Sequence, residues 1–331
     1  MRALIVKTNG DRPVMEMGEY PTPQPSDFEL LVRVHATALN RADLMQKAGK
    51  YPPPKGESEL LGLEMSGVVE TVGQKVSRFK PGDFVFGLLG GGGYAELCVI
   101  DEEMAIHKPE NLSFEEAAAI PEVFLTAFQA VIWLSALKEN ETILIHAGAS
   151  GVGTAAIQIA KQLKSATIIV TAGSDDKLEL CKELGADLMI NYKQDDFAEV
   201  IEKKLGKNRV DVIIDFVGSP YWDGNIKSMN MDGRVVYLSM LGGATVEKMS
   251  IVPLLRKRLT IQGSTLRNRS SDYKKRLTSD FFSKTSDLFY QEKLKPVIDS
   301  IFSWDEVEAA HKRMENNKNA GKIVLYAIQN D

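Results

Sequence analysis

The stretch IHAGASGVGTAAIQIAK, from Ile145 to Lys161, reads as a strand ending at His146, a glycine-rich turn, and an apolar helix that begins at Gly151. Ala147, Ser150 and Gly153 hold the three positions that a GxGxxG-type fingerprint fills with small residues, and Gly148 and Gly151 give the backbone further room. A pyrophosphate needs such a turn. Its oxygens must approach main-chain N–H groups at a helix N-terminus, where the helix dipole also favours negative charge. Gly153 permits close packing of the helix on the strand. An ordinary tight strand-to-helix turn accounts for the glycines alone. The strand before, the helix after and a second strand at Thr167 favour a dinucleotide.

Working outward, strands and helices alternate. Thr167–Thr171, Asp187–Asn191, Val210–Phe216, Arg234–Leu238 and Leu259–Gln262 read as strands, and Gly151–Leu163 and Asp175–Leu184 as helices. This is the pattern of a doubly wound α/β parallel sheet. The second strand runs TIIVTA into Gly173-Ser174 without the Asp or Glu that NAD enzymes place there for the ribose hydroxyls. That uncharged end leaves room for a 2′-phosphate, with Lys177 one helical turn onward and the Tyr192 hydroxyl after the next strand. Asp175 and Asp176 admit two readings. They are first-turn acids behind a Ser174 N-cap, or Asp175 turns to the ribose and favours NADH. The missing acid and Lys177 favour NADPH.

Before this region the chain shows short strands with turn signals between them. Glu29–Ala36 alternates with period two, and Gly67–Val72, Asp83–Leu88 and Tyr94–Ile100 follow, separated by Pro81-Gly82-Asp83 and by Gly90 to Gly93. A small barrel or sandwich is expected. Phe114 to Leu137 reads as helical, with a kink or a helix start at Pro121. Two helices, Tyr273–Tyr290 and Trp304–Asn316, and a closing strand, Lys322–Ala327, form a tail that returns to the first region.

The chain has 331 residues and a net charge of −5. With no Lys/Arg-rich run, a nucleic acid is not expected as primary partner. No apolar run approaches a membrane span and the start lacks a signal peptide, so a cytoplasmic protein is expected. Cys98 and Cys181 read as free thiols. His35, His107, His146 and His311 are scattered without metal-ligand spacing, no GxSxG elbow is present, and no metal is expected. What remains is a nicotinamide and a pocket that presents an acceptor to it.

The stretches ALNRADLMQKAGKYPPP, LGLEMSGVVE, IPEVFLTAFQA, IHAGASGVGTAAIQIAK, VTAGSDDKL, INYKQDDF and NKNAGKIVL, spread from Ala38 to Leu325, carry a family likeness. The chain resembles the zinc-independent quinone oxidoreductases of the medium-chain dehydrogenase/reductase superfamily, most closely the p53-inducible quinone oxidoreductase type. The resemblance implies a GroES-like β-barrel substrate domain over residues 1–120 and 268–331. It also implies a Rossmann NADP-binding domain over residues 121–267. Zinc-dependent relatives have a Cys before the first helix and a Gly-His-Glu triplet. Here Asn40 and Gly62-Leu63-Glu64 stand in those regions.

By the same resemblance Asn40 and Tyr51 are the catalytic candidates, in an interdomain cleft, and Thr126 contacts the nicotinamide carboxamide. Ser150, Gly151, Val152 and Gly153 face the pyrophosphate, and Gly173, Ser174, Lys177 and Tyr192 the 2′-phosphate. Val217 and Gly218 lie near the adenosine half. Met240 and Leu241, with Ser264, Thr265 and Leu266, lie beside the nicotinamide half, and Asn319 closes over the cofactor. Asn40 with Asp43 also fits a capping box, Tyr51 before three prolines a stiff-loop anchor, and Thr126 one polar helix position. Lys322 reads as a solvent-facing lysine.

The activity so implied is NADPH-dependent reduction of a quinone or related electrophile. Reduction of α,β-unsaturated carbonyls and a low-turnover NADPH-binding role are the alternatives. A homodimer is implied as well, with Arg234–Leu238 as a candidate edge strand.

Overall fold

Six short strands alternate with helices between Thr142 and Gly263 in the computed structural model, which describes residues 1–9 and 12–327. Every neighbouring pair in their sheet is parallel. Across the sheet the strands run Leu188–Asn191, Thr167–Ala172, Thr142–Ile145, Val210–Asp215, Met229–Tyr237 and Thr260–Gly263. The third strand thus lies outermost on one side and the sixth on the other. The order reverses between Thr142–Ile145 and Val210–Asp215, and in open sheets of this kind the crevice beyond the carboxyl ends at the reversal is where ligands bind. Strands covered on both faces must be apolar throughout, and Ile143, Leu144, Ile145, Val212, Ile213 and Ile214 are all fully buried. These strands belong to a compact unit, Thr126–Leu266, with the Rossmann arrangement.

The other unit, Met1–Leu125 with Arg267–Asp331, carries a second, mainly antiparallel sheet of GroES-like type. Its central strand, Glu29–Ala38, changes partners along its length. Residues Glu29 to Arg33 pair with Leu97–Asp101, and Ala36 to Ala38 pair with Lys322–Tyr326, while Glu64–Val72 runs along the other side. The tail therefore returns to the first segment, and Ile298–Ser303 extends the sheet by pairing in parallel with Lys322–Tyr326. The core of this unit mixes both chain ends, with Leu4, Leu39, Leu61 and Tyr94 packed against Trp304, Val307, Met314 and Leu325.

Two elements differ from the sequence pattern. A two-stranded hairpin, Arg2–Asn9 with Arg12–Glu19, precedes the expected first strand. Of the two readings of Pro121 the structure has the helix start, opening Pro121–Phe128 after the short helix Phe114–Ala118; proline suits a first helical turn because its missing N–H has no intrahelical partner there. Arg234–Leu238 is not an edge. The strand Met229–Tyr237 is flanked on both sides, and the outer position belongs to Thr260–Gly263.

Trp304 is 1% exposed, and its Nε1–H has no acceptor among the described residues. A buried, unbonded donor costs roughly 1–3 kcal/mol. Trp304→Phe, which removes that donor together with some apolar area, is therefore expected within about 1 kcal/mol of wild type, against a loss of about 3–5 kcal/mol for Trp304→Ala. Urea unfolding checks both.

Candidate functional site

In the unit Thr126–Leu266, the turn between the first strand and the helix Gly151–Lys164 is tightly built. Ala147 adopts a left-handed φ of 48°, a conformation that disfavours a side chain. A Cβ on Gly153 would stand 2.5 Å from the carbonyl oxygens of both Ala147 and Gly148, so only glycine allows this approach. Ser150 caps the helix, its Oγ accepting from Gly153 N at 3.1 Å. The N–H groups of Gly151 and Val152, at the first two helical positions, have no intrahelical carbonyl to bond. Small residues, a close backbone and outward N–H donors suit a pyrophosphate.

The remaining nucleotide candidates of this unit fall mostly at the same sheet ends. Gly173 lies against Tyr192, since a Cβ there would meet Tyr192 Oη at 2.6 Å and Lys193 Cε at 3.2 Å. Lys193 is a cation the sequence reading passed over, although it stands next to Tyr192 in INYKQDDF. Lys177 is half-buried in the first turn of its helix, Asp175–Glu183. Ser174 takes the extended N-cap backbone, but its side chain makes no cap bond. Asp175 is tied down, because its Oδ1 accepts from Asn191 Nδ2 at 3.0 Å. The loop that carries Val217 and Gly218 is bonded to the one that carries Met240 and Leu241, Leu241 N donating to Phe216 O at 3.0 Å and Gly242 N to Val217 O at 2.8 Å. Ser264 follows the sixth strand, donating its N–H to Tyr237 O, and leads into Thr265 and the buried Leu266. Thr126 is buried in the helix Pro121–Phe128.

Beneath these loops runs a buried polar chain that the sequence did not reveal. Asn225 Nδ2 donates to Asp215 Oδ2 at 2.6 Å, so its Oδ1 accepts from His146 Nε2 at 2.7 Å, and His146 Nδ1 accepts from Thr171 Oγ1 at 3.0 Å. Burial holds the His146 pKa below its usual value against the raising effects of Asp215 and Asn225, in keeping with a neutral ring. At the far end Asp215 Oδ1 accepts from Val217 N at 2.5 Å and Gly218 N at 3.0 Å. Gly218 needs its φ of 88°, and a Cβ there would meet Gly243 O at 2.4 Å. The chain thus fixes the loop that carries Val217 and Gly218.

In the other unit, Asn40 sits in a buried cluster rather than on a surface. Lys322, 3% exposed, spends all three of its donors, on Leu39 O at 2.7 Å, Asn40 Oδ1 at 2.8 Å and Glu64 Oε1 at 2.7 Å. The solvent-facing reading of Lys322 is thereby corrected. Asn40 Nδ2 donates to Glu64 Oε1 at 2.8 Å and to Ala38 O at 3.3 Å, which occupies both amide hydrogens. Glu64 Oε2 accepts from Glu122 N at 2.8 Å, one of the unbonded donors at the start of its helix. Asp43 accepts from Asn40 N at 2.7 Å and Gly62 N at 3.1 Å; burial nonetheless lifts its pKa to about 6. Nearby, Tyr94 Oη and His311 Nε2 lie 3.2 Å apart, with the His311 pKa lowered by burial to about 3.

Tyr51 is half-buried, and the Arg267 guanidinium carbon stands 5.5 Å from its ring centroid. Asn319 bonds its own segment, Nδ2 to Gly321 O at 2.9 Å. Burial pushes the Cys98 and Cys181 thiols up to about 12, so neither is a ready nucleophile.

Two family models match the chain, one described as zinc-binding dehydrogenase over residues 151–283 and one as alcohol dehydrogenase GroES-like domain over residues 26–110. The chain belongs to the medium-chain dehydrogenase/reductase superfamily and is an NAD(P)-dependent oxidoreductase of that kind. Quinone oxidoreductase-like protein 2 of Bos taurus is 32% identical over 309 residues, covering 93% of this chain and 88% of the relative. A solved NAD-dependent alcohol dehydrogenase is 34% identical with a TM-score of 0.85, over 98% of this chain and 99% of that one. A mycobacterial protein solved with NADPH is 26% identical, also with a TM-score of 0.85, over 98% and 99%. No helix among the described residues is long and apolar enough to cross a membrane.

The zinc named in one family description does not fit these residues. Asn40 and Leu63 are not zinc donors, and the ammonium of Lys322 already supplies the cation that Glu64 and Asn40 bind. Among the described residues no three His, Cys, Asp or Glu side chains converge.

The ion pair sets a clear expectation. Lys322→Met leaves Glu64 charged and buried, which costs about 3–5 kcal/mol. Lys322→Met combined with Glu64→Gln should recover a large part of that loss in thermal unfolding, whereas additive losses would show that the two groups do not compensate each other.

Proposed function

We propose that this protein is a zinc-independent NADPH:quinone oxidoreductase in which Tyr51 serves the acceptor and Asn40 orders the site. The observation that carries the cofactor choice is the end of the second strand. Asp175, the acid whose turn to the ribose would favour NADH, is engaged by Asn191, while Tyr192 and Lys193 flank Gly173 and Lys177 lies in the adjoining first turn. Cations and a phenol hydroxyl suit a 2′-phosphate of about −2 charge; a bare pair of ribose hydroxyls gains little from them.

The cofactor, when bound, supplies a hydride, and the protein provides alignment and proton management. Gly151 and Val152 hold the pyrophosphate through backbone donors, while Gly148, Ser150 and Gly153, whose N–H groups are bonded within the turn, shape it. Gly173, Ser174, Lys177 and Tyr192 hold the adenosine phosphate, with Val217 and Gly218 along the adenosine half. Met240, Leu241, Ser264, Thr265, Leu266 and Thr126 line the nicotinamide half. Asn40 has both amide hydrogens committed, so its part is to fix the end of the Glu29–Ala38 strand and the start of the helix Arg41–Lys47. Tyr51 then carries hydrogen bonding to the acceptor oxygen.

A homodimer is part of the proposal, joined through the outer strand Thr260–Gly263. Beside it the helix Val252–Lys257 exposes Leu255 by 83%, with Ile251 and Val252 also open. A sedimenting species of twice the 36.6 kDa chain mass is expected.

The test is oxidation of NADPH and NADH with 1,2-naphthoquinone, 1,4-benzoquinone and an alkenal. NADPH-selective turnover of a quinone is expected, and Lys177→Ala should weaken NADPH binding tenfold or more, about 1.4 kcal/mol, with little effect on NADH. Preference for the alkenal would replace the substrate and keep the nucleotide site. Tight NADPH binding without turnover would replace the enzyme by a binding protein.

A further inference from the structure

Arg267 stands just before the helix Ser271–Tyr290 and is only 6% exposed. Its Nε and Nη2 both donate to one carbonyl, Gly90 O, at 3.0 and 2.8 Å. Its Nη1 is buried without an acceptor among the described residues, and the guanidinium lies over the face of Tyr51. A guanidinium stays charged under all physiological conditions, and burying it is expensive unless its five N–H groups are bonded. A purely structural residue would have no reason to leave Nη1 unpaired, since an apolar side chain would fill the space at lower cost.

The surrounding charges define what the cation acts on. Tyr51 is faced by Arg267 and by Glu122, and Arg267 is faced by Asp43, Glu57 and Tyr51. Glu57 in turn pairs with the buried Lys274 at 3.6 Å. Burial raises the Tyr51 hydroxyl pKa and Arg267 opposes that rise, with Glu122 adding to it. Arg267 is therefore the cation that stabilises negative charge on the Tyr51 oxygen, and its fork on Gly90 O fixes where that cation sits.

We infer that Arg267 is a positioning residue for proton transfer by Tyr51, holding the phenol by its ring face and stabilising the phenolate that proton transfer leaves behind. This rests on the reading of Tyr51 as the group that serves the acceptor. The quinone oxygen that becomes anionic on accepting a hydride from the reduced nicotinamide takes the proton from Tyr51 Oη. The Tyr51 O–H bond breaks, the hydroquinone O–H bond forms, and the phenolate beside Arg267 regains a proton from water.

The experiment compares wild type, Arg267→Lys and Arg267→Met, each with and without Tyr51→Phe, after circular dichroism establishes folding. Tyrosinate absorbance, taken as the difference between each protein and its Tyr51→Phe partner, isolates Tyr51 among nine tyrosines without requiring any substrate. Arg267→Met should move that titration up by about one pH unit. It should lower kcat for the quinone about tenfold with little change in KM, and cause no further loss when Tyr51→Phe is present. Arg267→Lys, keeping the charge without the fork, should fall between and serves where the Met variant does not fold. A Tyr51 titration unmoved in both variants overturns the inference and leaves the proposed activity standing. A moved titration with wild-type kcat in Tyr51→Phe removes Tyr51 as proton donor, and the inference falls with it. An equal loss of kcat with and without Tyr51 also overturns it.

Discussion

Lys322 joins parts of the chain that are almost as far apart as its length allows. Its ammonium bonds Asn40 and Leu39, at the end of the central strand, and Glu64, at the start of the next one. Glu64 passes the connection on to the first turn of the helix that begins at Pro121. A buried ion pair repays its desolvation only with near-ideal geometry and every remaining donor and acceptor satisfied. Here three N–H groups meet three acceptors, and both carboxylate oxygens are occupied. The position of Asn40, the start of the helix Arg41–Lys47 and the return of the tail to the first sheet all depend on this arrangement.

The parallel-sheet unit pins its loops with a buried polar chain instead. Its strand order opens a crevice, and the loops at the rim must be held in place while presenting exposed side chains such as Met240 and Leu241. The chain from Thr171 through His146 and Asn225 to Asp215 has a fixed direction of donation, and it ends on the backbone of Val217 and Gly218. A neutral imidazole in the middle lets the chain carry hydrogen bonds without adding a second buried charge beside Asp215. The loop of Val217 and Gly218 is thus pinned from below.

Local signals in the sequence were enough for the alternating unit. Glycine spacing, apolar strands and the strand–turn–helix at Ile145 to Lys161 all depend on neighbours a few residues away. The apolar pattern at Arg234–Leu238 marks a strand, but its place in the sheet depends on where Leu259–Gln262 packs, which is a matter of topology. The amino-terminal pair of strands has a local signal too, Gly10-Asp11 between the apolar run Ala3–Val6 and Val14-Met15. Lys322 was different. Its partners lie 282 and 258 positions away, and a lysine in a polar segment looks like any surface lysine until those partners are known. Arg267 and Gly90, 177 positions apart, are hidden for the same reason.

Asn40 shows how that hidden context changes a role. Its motif suggested a hydrogen-bond donor to substrate, yet the carboxamide is consumed by Lys322, Glu64 and Ala38. A buried amide with both hydrogens committed would have to break a charge-assisted bond to serve a ligand, at a cost of about 1.5–3 kcal/mol, so it acts best as a fixed support. Tyr51 is under no such constraint, being half-buried with a cation at its ring face. Two buried cations, Lys322 and Arg267, bear on these side chains. Lys322 neutralises the Glu64 carboxylate of the framework, and Arg267 stands over the ring of Tyr51. In the activity proposed for this protein neither polarises a substrate as a Lewis acid would, and the reduction must draw on alignment of the hydride donor and on a well-placed proton.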